Sequence, residues 1–132
     1  MVSCSADQSG QYLTISYCRH VTAKCVEDCR REIRDNMKHL RPGYALLCDL
    51  THMETMDPDS AQCVGALIEL CSAREMGVAV WVIPDPSKDI GLNLISRFHL
   101  WQPVRMHTRA NLAEAVKCLV LERPALAASP EN

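Results

Sequence analysis

The sequence predicts an α/β fold with a mixed, mostly parallel β-sheet and about four helices. Three observations carry the fold class. Strand-like and helix-like stretches alternate along the 132 residues, the rhythm that links parallel strands through right-handed helical crossovers. Two stretches, "YALLCDL" (44–50) and "VAVWVI" (78–83), are continuous apolar runs, as expected of strands buried on both faces of a parallel sheet. The connections between elements are short, so successive elements pack on one another within a single domain spanning residues 1–122.

The elements follow in order. Residues 2–5 are a weak strand candidate, "DQSG" (7–10) is turn material, and "QYLTISY" (11–17) alternates apolar and polar residues among β-formers. From Thr22 the period becomes helical. Val21, Cys25, Cys29 and Ile33 recur every four residues and continue to Met37 and Leu40, and "RPG" (41–43) ends the helix. The apolar strand 44–50 follows, then a loop, then a helix with Ala61, Val64, Ile68 and Cys71 on one face and Gly77 as its expected C-cap. After strand 78–83, "PDPSKD" opens a less regular helix through Ile90, Leu94 and Phe98. "VRMH" (104–107) is a short strand, and Thr108 caps a last helix with Leu112, Ala115, Val116 and Leu119 inward. Residues 123–132 have little to bury and are expected to form a flexible tail.

Composition excludes several classes. The chain is 48% hydrophobic and 23% charged, with a net charge of −2. No basic footprint suited to a nucleic acid is present, since the densest basic stretch, Arg30 to Arg34, is broken by Glu32. No run approaches the roughly 18 apolar residues of a membrane span, and the N-terminus is too polar for a signal peptide, so a cytoplasmic location is expected. Eight cysteines form no C-x-x-C and no zinc-finger spacing. Most occupy positions that want a small apolar residue, as a buried free thiol can. Cys25 and Cys29, one helical turn apart, are the one pair that could share a ligand, with no second half of a site in view. No metal and no cofactor is expected.

In parallel sheets, functional groups collect at the carboxyl ends of strands. Two loops lie there, "THMETMDPDS" (51–60) and "PDPSKD" (84–89). Asp57-Pro58 and Asp85-Pro86 repeat one device, Asp as helix N-cap followed by Pro pre-organised for the first helical position. Asp59 and Asp89 add negative charge to the first turn, where the helix dipole favours it. Capping alone accounts for both loops. A metal site built from Glu54, Asp57 and Asp59 is a weaker reading, because oxygen-ligand sites usually draw carboxylates from several elements. A receiver-type phosphoaspartate is excluded, because residues 11–17 contain no acid. Phosphate-binding glycine loops and the nucleophile-elbow motif are absent. An acid/base pair of His52 with Asp57 is conceivable, and His99 and His107 lie near element ends. No nucleophile–base–orienter set can be assembled from the sequence, and no catalytic residue is expected.

The stretch "ALLCDLTHMETMDPDSAQCVGALIEL" resembles the STAS domain of anti-sigma-factor antagonists. That family has a strand ending in Asp-Leu, a short loop, and then Asp-[Ser/Thr]-[Ser/Thr]-Gly opening a helix. Asp49-Leu50 matches the strand end, Met56 the apolar residue before the loop's Asp, and Asp57 that Asp. "MGVAVWVI" is similar to the family's return strand, and Glu114-Ala115 in "HTRANLAEAV" to its terminal helix. The likeness covers roughly residues 11–120. It implies a non-enzymatic regulatory module that binds a protein partner, an anti-sigma factor, a kinase-like protein or another regulator. In the family the second hydroxyl residue of the loop is phosphorylated, and about two negative charges at the helix start block partner binding. Here Pro58 replaces the first hydroxyl residue, Asp59 the phosphoacceptor and Ser60 the Gly. Asp59 is then a fixed, weaker negative charge. A slip of one residue would make Ser60 the acceptor, but Ala61, Val64 and Ile68 keep the family's buried rhythm without it.

The expected partner surface is therefore Thr51, Glu54, Thr55, Asp57, Asp59 and Ser60, joined by Asp85, Lys88 and Asp89, with Arg97 a further second-rank candidate. Asp59 and Ser60 mark the switch position. A rival reading starts from the likeness between STAS-like and SEC14-type lipid-binding domains. It makes the chain a binder of a small apolar ligand, with Met53, Met56, Met106, Trp81 and Trp101 lining the pocket. Homodimer formation is left open.

Overall fold

The computed structural model describes residues 1–84 and 105–122. Its elements run β1 (Val2–Asp7), β2 (Tyr12–Tyr17), β3 (Arg19–Val21), α1 (Ala23–Met37), β4 (Ala45–Asp49), β5 (Met53–Met56), α2 (Ser60–Ala73), β6 (Val78–Val82), β7 (Arg105–Arg109) and α3 (Leu112–Glu122). Five strands form the main sheet in the order β1-β2-β4-β6-β7. β1 and β2 are antiparallel, and the other pairs are parallel. This is the expected mixed, mostly parallel α/β sheet. Three helices lie among the described residues; the helix expected through Ile90 and Phe98, and the tail 123–132, lie outside them.

β6 is buried throughout and β4 from Ala45 to Cys48, as their apolar runs require. Alternate residues serve two separate cores. Leu46 and Cys48 of β4 and Ala79 and Trp81 of β6 join Leu13, Ile15 and Tyr17 of β2 under α1 and α2. Ala45, Leu47, Val78, Val80 and Val82 face Ala115, Cys118 and Leu119 of α3 instead. A strand sandwiched between two apolar layers cannot slip register by one residue without exchanging its partners, and the period of two fixes it.

Several local expectations are corrected. Val21 belongs to β3, not to the helix; the buried stripe of α1 is Val26, Cys29, Ile33 and Met37. Cys25 and Cys29 therefore point to different surroundings, Cys29 into the core and Cys25 to the helix start. α2 ends at Ala73, and the left-handed residue after it is Glu75 (φ 64°), not Gly77. Gly77 has another cause, because a Cβ there would stand 2.6 Å from the Gly43 carbonyl oxygen. Gly77 N–H also bonds Tyr44 O at 2.7 Å, which locks the entry of β6 beside that of β4. Thr108 lies inside β7, and Asn111 caps α3 by accepting from Glu114 N–H at 2.9 Å. α3 is consequently turned from the expected face: Ala115, Cys118 and Leu119 are buried, whereas Leu112 and Val116 are exposed.

A feature not anticipated from the sequence is a separate two-stranded parallel ribbon, β3 with β5, at the carboxyl end of the main sheet. It forms because Val21, Met53 and Met56 are apolar anchors that reach the α1/α2 core. The polar residues between them, His20, Glu54 and Thr55, are left outside.

Candidate functional site: the strand-end rim

The rim is built by three turns. β4 ends in Asp49, whose carboxylate accepts from Thr51 N–H at 3.0 Å and from the Thr51 hydroxyl, an Asx-type closure that turns the chain toward β5. β5 then pairs with β3 through a bulge between Arg19 and His20. Arg19 sits at φ 57°, a left-handed conformation that non-glycine residues seldom adopt, and its N–H bonds His52 O at 2.8 Å. Finally Asp57 N–H bonds Val21 O at 2.9 Å and Ser60 N–H bonds Asp57 O at 3.0 Å, folding the chain into α2.

On one side of this ribbon the polar groups satisfy each other. His20 Nε2 lies 3.0 Å from Asp57 Oδ1, and His20 Nδ1 is hydrogen-bonded to Thr55 Oγ1. The imidazole uses both nitrogens to hold β3 to β5 and to the loop that precedes α2. Ser60 is fully buried, and its hydroxyl donates to Asp57 O at 2.5 Å. Asp57 is thus not the helix cap. The cap position falls to Asp59, whose φ −63° and ψ −28° are already helical and whose side chain makes no capping bond. An N-cap carboxylate normally needs extended backbone to reach the first-turn N–H groups. Asp59 lacks that geometry and stands exposed, with no hydrogen bond or ion pair among the described residues.

On the other side lies an open groove of about 690 Å³ lined by Cys18, Arg19, Thr51, His52, Met53 and Glu54. Arg19, His52 and Glu54 are exposed. Thus the structure gathers Thr51, Glu54, Thr55, Asp57, Asp59 and Ser60 on one rim. Thr55 and Asp57 are bound to His20, and Ser60 is turned inward. His20 itself was missed, since a three-residue strand gives no periodic signal. The conceivable pairing of His52 with Asp57 is not formed; the partner of Asp57 is His20. Asp85, Lys88, Asp89, Arg97, His99 and Trp101 lie outside the described residues. Of the proposed apolar pocket, Trp81, Met56 and Met53 are part of the packed core, and Met53 also lines the groove.

The thiols divide by surroundings. All eight are free. Burial pushes the Cys4 thiol up to about 12, the Cys71 thiol to about 12 and the Cys29 thiol to about 11. Cys25 goes the other way: hydrogen bonds from the Thr22 hydroxyl and then the Thr22 N–H favour its thiolate. Among the described residues no group of three or more His, Cys, Asp or Glu is placed to hold a metal ion. No helix among them is long and apolar enough to cross a membrane.

Comparison with known proteins bears on the fold. No protein-family model matches the chain, and no curated protein matches it in sequence. Solved structures do. An uncharacterized protein of the DUF3478 family with a SpoIIAA-like fold, from Shewanella loihica, superposes with a TM-score of 0.66 at 12% identity, over 90% of this chain and 92% of its own. The anti-sigma factor antagonist SpoIIAA in its unphosphorylated form gives a TM-score of 0.60 at 15% identity, over 91% of this chain and 98% of its own. The Bacillus cell fate determinant SpoIIAA in the phosphorylated form gives 0.60 at 14%, over 90% and 99%. The chain has the SpoIIAA-like, STAS-like fold.

Proposed function

We propose that this protein is a non-enzymatic regulatory module that binds a protein partner through the rim 51–60, in the manner of an anti-sigma-factor antagonist. On this reading the phosphorylation switch of that position is replaced by a permanent charge. The observation that carries the proposal is the state of the two side chains at the start of α2. Asp59 is exposed and has neither a capping bond nor an ion pair among the described residues, whereas Ser60 is fully buried with its hydroxyl engaged. A carboxylate kept at a helix start for no internal purpose is available to a partner, and the dipole there tolerates its charge. The likeness in fold to SpoIIAA, an anti-sigma factor antagonist solved both unphosphorylated and phosphorylated, supports a regulatory function. Thr51 and Glu54 extend the surface along the rim, and Asp85, Lys88 and Asp89 are its further proposed contacts.

The test is affinity capture with wild type and Asp59→Ala from the source cells, scored by quantitative mass spectrometry, alongside a phosphorylation assay on the wild type. A partner recovered by wild type and depleted at least severalfold with Asp59→Ala is expected, with no label on Ser60. Identical recoveries would remove Asp59 from the surface, and stoichiometric label on Ser60 would restore the switch.

A further inference from the structure

His20 links three side chains in a row. Its Nε2 lies 3.0 Å from Asp57 Oδ1, and its Nδ1 is hydrogen-bonded to Thr55 Oγ1. A carboxylate only accepts, so the proton of the neutral ring sits on Nε2, and Nδ1 presents its lone pair to the Thr55 hydroxyl. Hydroxyl, imidazole and carboxylate therefore stand in the order of nucleophile, general base and orienting group. The sequence offers no such set, because the three residues meet only through the pairing of β3 with β5, in which His20 stands opposite Thr55. Neighbouring hydroxyls on the rim are placed differently. Thr51 donates to the Asp49 carboxylate, and Ser60 is buried and donates to the Asp57 carbonyl. Of these three, Thr55 alone faces an imidazole, and it is exposed, so a reagent can reach its oxygen.

We infer that Thr55 is a modification site, a hydroxyl activated by His20 to accept an acyl group from an uncharged activated ester. Thr55 Oγ adds to the ester carbonyl carbon as its proton passes to His20 Nδ1. Asp57 is the positioning residue: its carboxylate holds the ring and stabilises the imidazolium so formed. The bond from the carbonyl carbon to the leaving oxygen then breaks, and the proton returns from the ring to that oxygen. The products are O-acyl-Thr55, the free alcohol and the neutral imidazole, so no oxidant or second reagent is consumed. Glu54, Asp57 and Asp59 share the rim with this hydroxyl and repel an anionic donor such as an acyl phosphate. The acyl group stays on the chain, which makes the step a modification and not turnover. This chemistry goes beyond partner binding and does not rest on it.

The probe is p-nitrophenyl acetate, added to the full chain at neutral pH, with acetylated residues and their rates read by peptide mass spectrometry. Thr55 is expected to be acetylated about a hundredfold faster than Thr51, the lower end of what a positioned general base contributes. His20→Gln should bring Thr55 down to the rate of Thr51. Asp57→Asn should slow Thr55 about tenfold, and Asp57→Glu, which restores a carboxylate, should regain part of that loss. Thr55→Ser, which keeps the hydroxyl, should be acetylated at the same position. The dispersed amide NMR spectrum of each variant reports folding. Equal rates at Thr55 and Thr51, an unchanged Thr55 rate in His20→Gln, or acetyl groups confined to cysteines and lysines would overturn the inference. The two readings fail separately, since acetylation needs no partner and the capture experiment with Asp59→Ala needs no acyl group.

Discussion

Two helices start side by side on this protein, each leaving a strand of the same small ribbon, and they start in opposite ways. α1 follows β3 through Thr22, which is extended (φ −110°, ψ 160°) and accepts from Cys25 N–H at 3.2 Å, while Thr22 N–H bonds the Cys25 sulfur at 3.4 Å. That is a reciprocal capping box with a thiol in the place usually held by Glu or Gln. α2 follows β5 through Asp59, which is helical in backbone and makes no capping bond. Its first N–H groups turn instead to loop carbonyls, Ser60 N–H to Asp57 O and Ala61 N–H to Pro58 O. The first start spends its side chain on the helix. The second satisfies its backbone without one and leaves a carboxylate over.

The largest test of that difference is to add charge at each start. Ser60→Asp would bury a carboxylate in a fully enclosed site where the native hydroxyl donates to Asp57 O, and should cost about 3 kcal/mol in urea unfolding. Thr22→Asp exchanges one good cap for another and should stay within about 0.5 kcal/mol of wild type. Similar costs at both positions would mean that the α2 start is open to Ser60 after all, and the contrast would collapse.

Removing the side chains gives a smaller and opposite-looking pair. Thr22→Ala loses the cap bond and should cost about 1 kcal/mol. Asp59→Ala loses a favourable interaction with the helix dipole at an exposed site and should cost no more than about 0.3 kcal/mol. Thermal or urea midpoints measured together decide it; a larger loss at Asp59 than at Thr22 would make Asp59 a structural cap and weaken its assignment to a partner.

The same contrast explains what the sequence could and could not reveal. β4 and β6 were legible because runs such as Ala45 to Cys48 and Val78 to Val82 have no surface face to hide their period. α1 was legible from Cys29, Ile33 and Met37, but the pattern ran too far upstream through Val21, because a buried strand residue four positions before Cys25 mimics one more helical turn. β3 and β5 were not legible. They are three and four residues long, and their pairing joins segments over thirty positions apart, so no local pattern encodes it. His20 was missed for the same reason: its role exists only once that pairing brings Thr55 and Asp57 to its two nitrogens. The loop 51–60 could be singled out by its acids and its strand-end position. That neither acid makes a capping bond and that Asp59 is left over depended on the pairing of Asp57 with His20 and on backbone angles at Asp59. The identity of Ser60 gave no hint that it would be sealed inside.

The smallest effect lies at the closed start. Cys25 is half-buried at the edge of the capping box, and the bonds from Thr22 lower its thiol below the ordinary value, whereas burial raises those of Cys4, Cys29, Cys48 and Cys71. The thiolate is the reactive form, so at pH 7.5 iodoacetamide should label Cys25 before the core cysteines, as read by peptide mass spectrometry. Its rate should rise with pH at lower values than a free thiol's. The sign for stability follows from the same shift. A thiol depressed in the folded state adds stability above the unfolded value, and that increment fades as pH falls through the folded one. Thr22→Ala removes both bonds' source of the shift in part, because the hydroxyl goes and the N–H stays. The labelling rate should therefore fall by about two- to threefold, rather than to the level of a buried thiol. If Cys25 instead labels no faster than Cys29, the box is not closed by the sulfur, and the two helix starts differ less than their backbones suggest.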